Sequence, residues 1–244
     1  MYGWAETMLK GIERVKGKKS FMYEIAHASA AIEGNSLSLE EVRKINLDGS
    51  PPKDRDTREM YNYLRALRKI DEFAEEKLTV DLLLKIHECI TEGTLQLPCY
   101  EGVFRKKLVF IVNPYTGERS FIPPFSSDVP GLVEELLEWY NTDGMKMHPV
   151  IQAGIIHFRL VWIHPFYDGN GRTSRFLAAL TLRKRDFDTG FFLPIDVVHW
   201  KERRKYIDAL NEAVEKGLDA WLKYYIDCFY KALDMQKKGY DARG

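Results

Sequence analysis

The chain has 244 residues with 45% apolar and 13% aromatic content, enough to bury a sizeable core, and its 36 basic residues balance its 36 acidic ones. That balance excludes a general field favouring nucleic acid or an anionic membrane, so any anion site must be local. Cys89, Cys99 and Cys228 lack metal-site spacing and read as free thiols of a cytoplasmic protein, Glu6 and Lys10 break any signal-like apolar run, and the apolar stretch 153–163 is too short to span a bilayer.

Helical periodicity dominates in chain order. It predicts helices over 3–16 and 20–34, then a short helix opened by Ser38-Leu39-Glu40-Glu41, a capping box in which Ser38 and Glu41 satisfy reciprocal orphan amides. The polar, proline-containing stretch 47–56 reads as a loop dividing an N-terminal helical arm, 1–56, from a core, 57–240, packed as one globular unit. The helix predicted over 57–77 places Met60, Tyr63, Leu64, Leu67, Ile70 and Phe73 on one stripe, and another follows over 79–93. Residues 103–112 are rich in β-branched and aromatic types, Asn113 to Gly117 reads as a turn, and 119–122 returns, which predicts a β-hairpin ended by Pro123-Pro124. Helices over 128–141, 148–163, 170–186, 200–216 and 218–237 complete an all-α fold with one hairpin.

Between two apolar helices lies HPFYDGNGRTSR, residues 164–175. Pro165 ends the first helix. Gly169 and Gly171 let the backbone approach a ligand where the next helix begins, and amides at a helix start form an anion site. Asn170 adds a neutral donor, while Arg172 and Arg175, three apart, share a face and reach for phosphate oxygens. The expected ligand is a polyphosphate. Asp168 would repel it without a cation, which makes Asp168 the candidate Mg²⁺ ligand. With no nucleophile nearby, His164 is the candidate general base for an incoming hydroxyl, and Phe166 anchors the loop in the core.

The segment resembles the Fic family pattern HPFx[D/E]GNGRxxR at every defined position. The preceding HPVIQAGIIHFRLVWI is similar to that family's buried helix, and the predicted hairpin, 103–122, is similar to its target-binding flap. The resemblance implies a helical bundle and transfer of AMP from ATP to a Ser, Thr or Tyr hydroxyl of a target protein. By position it implies that His164 deprotonates the hydroxyl, Asp168 holds Mg²⁺, Gly169, Asn170 and Gly171 cradle the α and β phosphates, Arg175 grips the γ phosphate, and Arg172 assists. Tyr206 resembles a tyrosine near the nucleotide base, and Val214 stands where some relatives have a base-contacting Asn. In related Doc kinases the Gly-Asn-Gly stretch is altered, so the intact one here points to AMP by analogy.

Ser29 to Gly34, SAAIEG, matches the family's inhibitory pattern [S/T]xxxE[G/N]. Ser29 and Glu33 share a helix face, and Gly34-Asn35 is a helix stop. A Glu33 carboxylate paired bidentately with Arg175 would occupy the donors needed by the γ phosphate and restrain the enzyme in cis. The sequence equally permits the reverse reaction, with Glu33 positioning water to remove AMP, and a different class, a nucleotide-sensing module without turnover. Arg105, Lys106 and Lys107 read as a charged hairpin edge. The short stretch after the last helix leaves no room for a winged-helix extension, so direct nucleic-acid binding is not expected, while the N-terminal arm is available for a homodimer.

Overall fold

The computed structural model describes residues 2–17, 19–112, 117 and 119–238. In chain order the helices are α1 (Gly3–Leu9), α2 (Met22–Ile32), α3 (Leu39–Arg43), α4 (Arg55–Arg68), α5 (Ile70–Glu75), α6 (Val80–Thr91), α7 (Val129–Asn141), α8 (Pro149–Ile163), α9 (Asn170–Lys184), α10 (Ile195–Lys201), α11 (Arg203–Lys216) and α12 (Leu218–Lys238). Strands β1 (Ile111–Val112) and β2 (Arg119–Phe121) pair antiparallel between α6 and α7.

α8 is the organising element. Val150 through Phe158 are all buried, as expected of a helix that is apolar on every face. Its Ile156, Leu160 and Ile163 join a core with α2 to α7 and α9, while Val150, Ala153 and Phe158 join a second core with α1, α10, α11 and α12. At the α8–α12 crossing, Trp221 Nε1 donates to the Gly154 carbonyl at 2.7 Å.

α2 lies inside this assembly, between α4, α9 and α10. Ala26, Ala28, Ser29 and Ala30 are buried, and small side chains allow that close approach. Its end is a Schellman motif, in which the Asn35 amide donates to Ala30 and the Gly34 amide to Ala31, with Gly34 at φ +95°. The segment before α2 is tied to the α9–α10 connection by Val15 N to Phe187 O (2.7 Å) and Phe21 N to Phe191 O (2.9 Å).

Several boundaries differ from expectation for identifiable reasons. The first helix stops at Leu9, because Gly11 adopts φ +85°. The helix expected over 57–77 begins at Arg55, where Asp54 caps the Thr57 amide, and divides at Lys69, whose backbone leaves helical geometry. α10 is a separate helix ended at Glu202; its buried Asp196 and His199 obscure the apolar pattern. The expected capping box is present at Ser38 and Glu41. The strand pair is shorter than expected: Ile111 faces Phe121 and Val112 faces Arg119, while 103–110 forms no strand. Residues 113–116 of the expected turn lie outside the described residues.

Several imidazoles are buried neutral. Burial pushes His87 to about 4 and His199 to about 3, and holds His157 well below its usual value. In the unfolded chain these rings take protons below about 6.5, so the native state's full stability is present above that pH and declines as pH falls toward 4. Asp196, raised by burial to about 6, and Asp188, also raised by burial, act oppositely, but they are two groups against these three imidazoles and His164, which burial likewise pushes to about 4. Urea unfolding midpoints should therefore fall between pH 7.5 and 5, and an unchanged midpoint would contradict the assignment of buried neutral histidines.

Candidate active site

Between α8 and α9 the chain turns within six residues. The His164 amide makes the last α8 bond, to Leu160, and His164 then adopts φ +50°, a left-handed conformation disfavoured for a side-chain-bearing residue by roughly 1 kcal/mol. Neighbouring contacts hold it there. Arg105 Nε donates to the His164 carbonyl at 2.7 Å, and the Arg105 amide donates to the Pro165 carbonyl at 2.9 Å. Asn170 clasps the Phe166 peptide, accepting from its N–H and donating to its carbonyl, both at 2.9 Å. The Phe166 ring is fully buried and stacks on His87 at 3.6 Å between centroids. His87 Nε2 donates to the Asp168 carbonyl (2.9 Å) while Nδ1 accepts from the Gly102 amide (3.0 Å), which fixes its tautomer. Gly169, at φ +79°, passes so near α6 that a Cβ would lie 2.7 Å from Thr91 Cγ2.

α9 begins here, and its first intrahelical bond is from Thr173 N to Gly169 O, so the amides of Asn170, Gly171 and Arg172 face the helix start. Glu33 brings its carboxylate to that place: a Cβ on Gly171 would stand 2.1 Å from Glu33 Oε1. Glu33 Oε1 also accepts from Arg175 at 2.7 Å. The pairing is a single bond rather than the bidentate one expected, and Arg175 divides its other bonds between Ser29 and Tyr206. Nε donates to Ser29 Oγ (2.8 Å), NH2 also to the Ser29 carbonyl (2.9 Å), and NH1 to the Tyr206 hydroxyl (3.3 Å). Burial opposes the charge of Arg175, but Glu33, Tyr206 and Asp196 around it keep the guanidinium firmly protonated. The Tyr206 hydroxyl, pushed by burial to about 12, stays neutral and donates to His157 Nε2 at 3.0 Å.

Arg172 is equally buried but differently satisfied. Among the described residues its Nε and NH1 have no hydrogen-bond partner, and the nearest carboxylates are Glu59 (3.5 Å) and Asp168 (3.7 Å). A buried cation with unused donors at a helix start suits an added anion.

A cavity of about 330 Å³ opens beside this helix start, lined by Glu33, His164, Gly171 and Tyr206 at one end and by Ile207, Leu210, Asn211 and Val214 along α11, with Phe158 and Trp162 opposite. His164 Nδ1 donates to the Val161 carbonyl (3.2 Å), leaving Nε2 as the unprotonated nitrogen. Burial, helped by the charge of Arg105, pushes the ring down to about 4, so it is neutral at physiological pH. Asp168 faces a second cleft, with Arg55, Tyr100 and Tyr167, its side chain 52% exposed and its Oδ2 3.6 Å from Arg55 NH2. Among the described residues no cluster of three or more His, Cys, Asp or Glu could hold a metal ion. A Mg²⁺ would thus rest on the Asp168 carboxylate, ligand phosphates and water, a donor set that this ion accepts.

Residues 77–182 match the family model described as Fic/DOC family. The chain carries a Fic domain. It is 31% identical over 234 residues to a protein adenylyltransferase Fic of Culex quinquefasciatus, covering 92% of this chain and 43% of that protein. It is 28% identical over 228 residues to one of Drosophila willistoni, covering 90% and 42%. The chain thus spans less than half the length of these curated relatives. Among solved structures, a Fic family protein of Desulfovibrio desulfuricans superposes with TM-score 0.74 at 25% identity, over 96% of this chain and 69% of that one. A Fic-domain signaling protein of Bacteroides thetaiotaomicron, at 23% identity and TM-score 0.74 over 92% and 89%, shares the fold.

Around the start of α9 the structure brings together His164, Gly171 and Arg175 of the motif with Ser29, Glu33 and Tyr206 from outside it. Two residues take other positions: Asn170 spends its side-chain amide shaping the loop, not facing a ligand, and Asp168 lies in the second cleft, while Phe166 anchors the loop in the core. Arg105 corrects the expectation of a charged hairpin edge: it is 1% exposed and also donates to the Pro124 and Lys107 carbonyls. His87 and Arg105, the braces of the motif, have no local signature, since their partners lie 59 to 81 residues away. Arg105→Ala would leave several carbonyls without a donor, and should destabilise the protein by about 3 kcal/mol in urea unfolding; a loss below about 0.5 kcal/mol would show that the brace is dispensable.

Proposed function

We propose that this chain is a protein adenylyltransferase that moves AMP from Mg²⁺-bound ATP to a Ser, Thr or Tyr hydroxyl of a protein, and that its own Glu33 restrains it. One observation carries the reading: a carboxylate from α2 occupies the anion-binding start of α9 and pairs with Arg175 at 2.7 Å.

In the proposed reaction His164 acts at Nε2. Its left-handed backbone and the Nδ1 bond to Val161 hold the neutral tautomer that can accept a hydroxyl proton. The target oxygen then bonds to the α phosphorus as the α–β bridging bond breaks, and pyrophosphate leaves. The amides of Gly171 and its neighbours, with Arg172, stabilise charge on the phosphoryl oxygens, and Arg175 takes the γ phosphate once Glu33 withdraws. Bound Mg²⁺, held by Asp168, would neutralise phosphate charge. The apolar wall of α11 suits a nucleobase; Asn211, one turn before Val214, is its amide-bearing residue.

The exposed Phe110 and Ile122 support docking of a target along 103–122. In this reading residues 1–56 are the inhibitory arm and 57–240 the catalytic core, with a homodimer through the arm a further proposal. Among the described residues no helix is long and apolar enough to cross a membrane, and the free Cys89, Cys99 and Cys228 support placement in the cytoplasm. Glu33 also lines the cavity beside His164, which supports a second reading in which it positions water to remove AMP.

Glu33→Gly should raise labelling of protein by α-labelled ATP roughly tenfold, a lower figure for a charge-assisted bond because the carboxylate is 41% exposed. The same substitution should abolish any release of AMP from a modified protein, so loss of release without a gain in labelling selects the second reading. His164→Ala should reduce labelling by at least about 10²-fold, the scale of a lost general base; labelling that persists at the wild-type rate would refute the catalytic assignment.

A further inference from the structure

The contact between Glu33 and Arg175 has a weak component. Glu33 is 41% exposed and reaches Arg175 through one hydrogen bond, so side-chain packing does little to hold it there. Its backbone is better fixed. Ile32, the residue before it, is 4% exposed, and its carbonyl is one of the four that end a helix without an intrahelical partner. Arg203 Nε, from the first turn of α11, donates to that carbonyl at 2.9 Å. A cation at a helix C-terminus is favoured by the helix dipole as well as by the bond.

This contact closes a ring. Arg203 holds the Ile32 carbonyl, the next residue presents Glu33 to Arg175, Arg175 donates to the Tyr206 hydroxyl, and Tyr206 lies one turn from Arg203 on α11. The nucleotide-sized cavity is bordered by this ring. On the other side of the α2 terminus, Asn35 Nδ2 donates to the Asp56 carbonyl (3.0 Å) and to Glu59 (3.2 Å), so the segment after Glu33 is tied to α4 independently. The terminus is therefore clamped from two sides, and the clamp on the α11 side is a single guanidinium.

We infer that Arg203 is the positioning residue of autoinhibition: by holding the last turn of α2 through Ile32 it sets Glu33 against Arg175. The inference rests on the restraint proposed for Glu33, and it adds a residue that borders the same cavity and acts on Glu33 through the Ile32 carbonyl. Arg203→Ala frees the carbonyl to water, loosens the last turn of α2 and lowers the occupancy of the Glu33–Arg175 pair. Arg203→Lys keeps a cation at the helix end and preserves most of the restraint.

The test combines two readouts on the full chain. Labelling by α-labelled ATP is measured for wild type, Arg203→Ala, Arg203→Lys, Glu33→Gly and the Glu33→Gly/Arg203→Ala double variant. Amide hydrogen exchange of peptides covering 22–35 is followed by mass spectrometry in the same proteins. Arg203→Ala should raise labelling about fivefold, below the effect of Glu33→Gly because the Asn35 tie remains. The rise should be absent when Glu33 is already Gly, and exchange at the end of α2 should quicken in Arg203→Ala and stay near wild type in Arg203→Lys. A further rise in the double variant, or a drop in its labelling, overturns the inference, since Arg203 would then act independently of Glu33. Unchanged exchange in a folded Arg203→Ala protein overturns it as well, and if Arg203→Ala does not fold, the exchange of Arg203→Gln decides in the same way. If Glu33→Gly itself does not raise labelling, the restraint proposed for Glu33 fails, while the exchange measurement still decides whether Arg203 holds the helix end.

Discussion

A buried arginine sets the terms for this structure. Arg175 is 1% exposed, and a guanidinium taken out of water is tolerated only when its donors meet acceptors. Meeting that demand recruits three helices: α9 supplies the arginine, α2 supplies the Ser29 hydroxyl, the Ser29 carbonyl and Glu33, and α11 supplies Tyr206. Each partner must come close, which explains the small residues along α2 and the absence of a side chain at Gly171. Three of the four acceptor atoms belong to buried groups. The fourth, Glu33, stands half in solvent, and it is the one that a ligand anion could replace without opening the core.

The loop before α9 shows the same economy of polar groups. Its left-handed His164 is disfavoured locally, so the surroundings must over-determine it, and they do so with backbone acceptors: Arg105 takes the His164 carbonyl, Asn170 takes the Phe166 peptide, and His87 takes the Asp168 carbonyl. Satisfying the backbone from behind leaves the front of the loop open, where the α9 amides and the unused donors of Arg172 gather around one small volume. Catalytic capacity and restraint are thus the same geometry with different anions in it.

Much of this was legible in the chain. The spacing in HPFYDGNGRTSR by itself determined a helix end, a tight glycine-bearing turn and a new helix with arginines on one face, because these are consequences of residues within a dozen positions. Ser29, Glu33 and Gly34 likewise determined a shared helix face and a stop, and Ser38 with Glu41 determined a cap. Asn170 was misread because its amide could serve either a ligand or its own loop, and local sequence does not distinguish them.

Only the tertiary structure decided which side chains the site depends on. Arg105 looks like one of three surface cations until Pro124 and His164 are brought to it, and Arg203 looks like a solvated helix residue until the end of α2 arrives 171 residues earlier in the chain. The pairing of Glu33 with Arg175, across 142 residues, is a single bond, with Ser29 and Tyr206 sharing the same guanidinium. Periodicity and motif spacing report what a residue can offer. Which partner it meets depends on how α2, α8, α9 and α11 pack, and that is settled by burial summed over the whole chain.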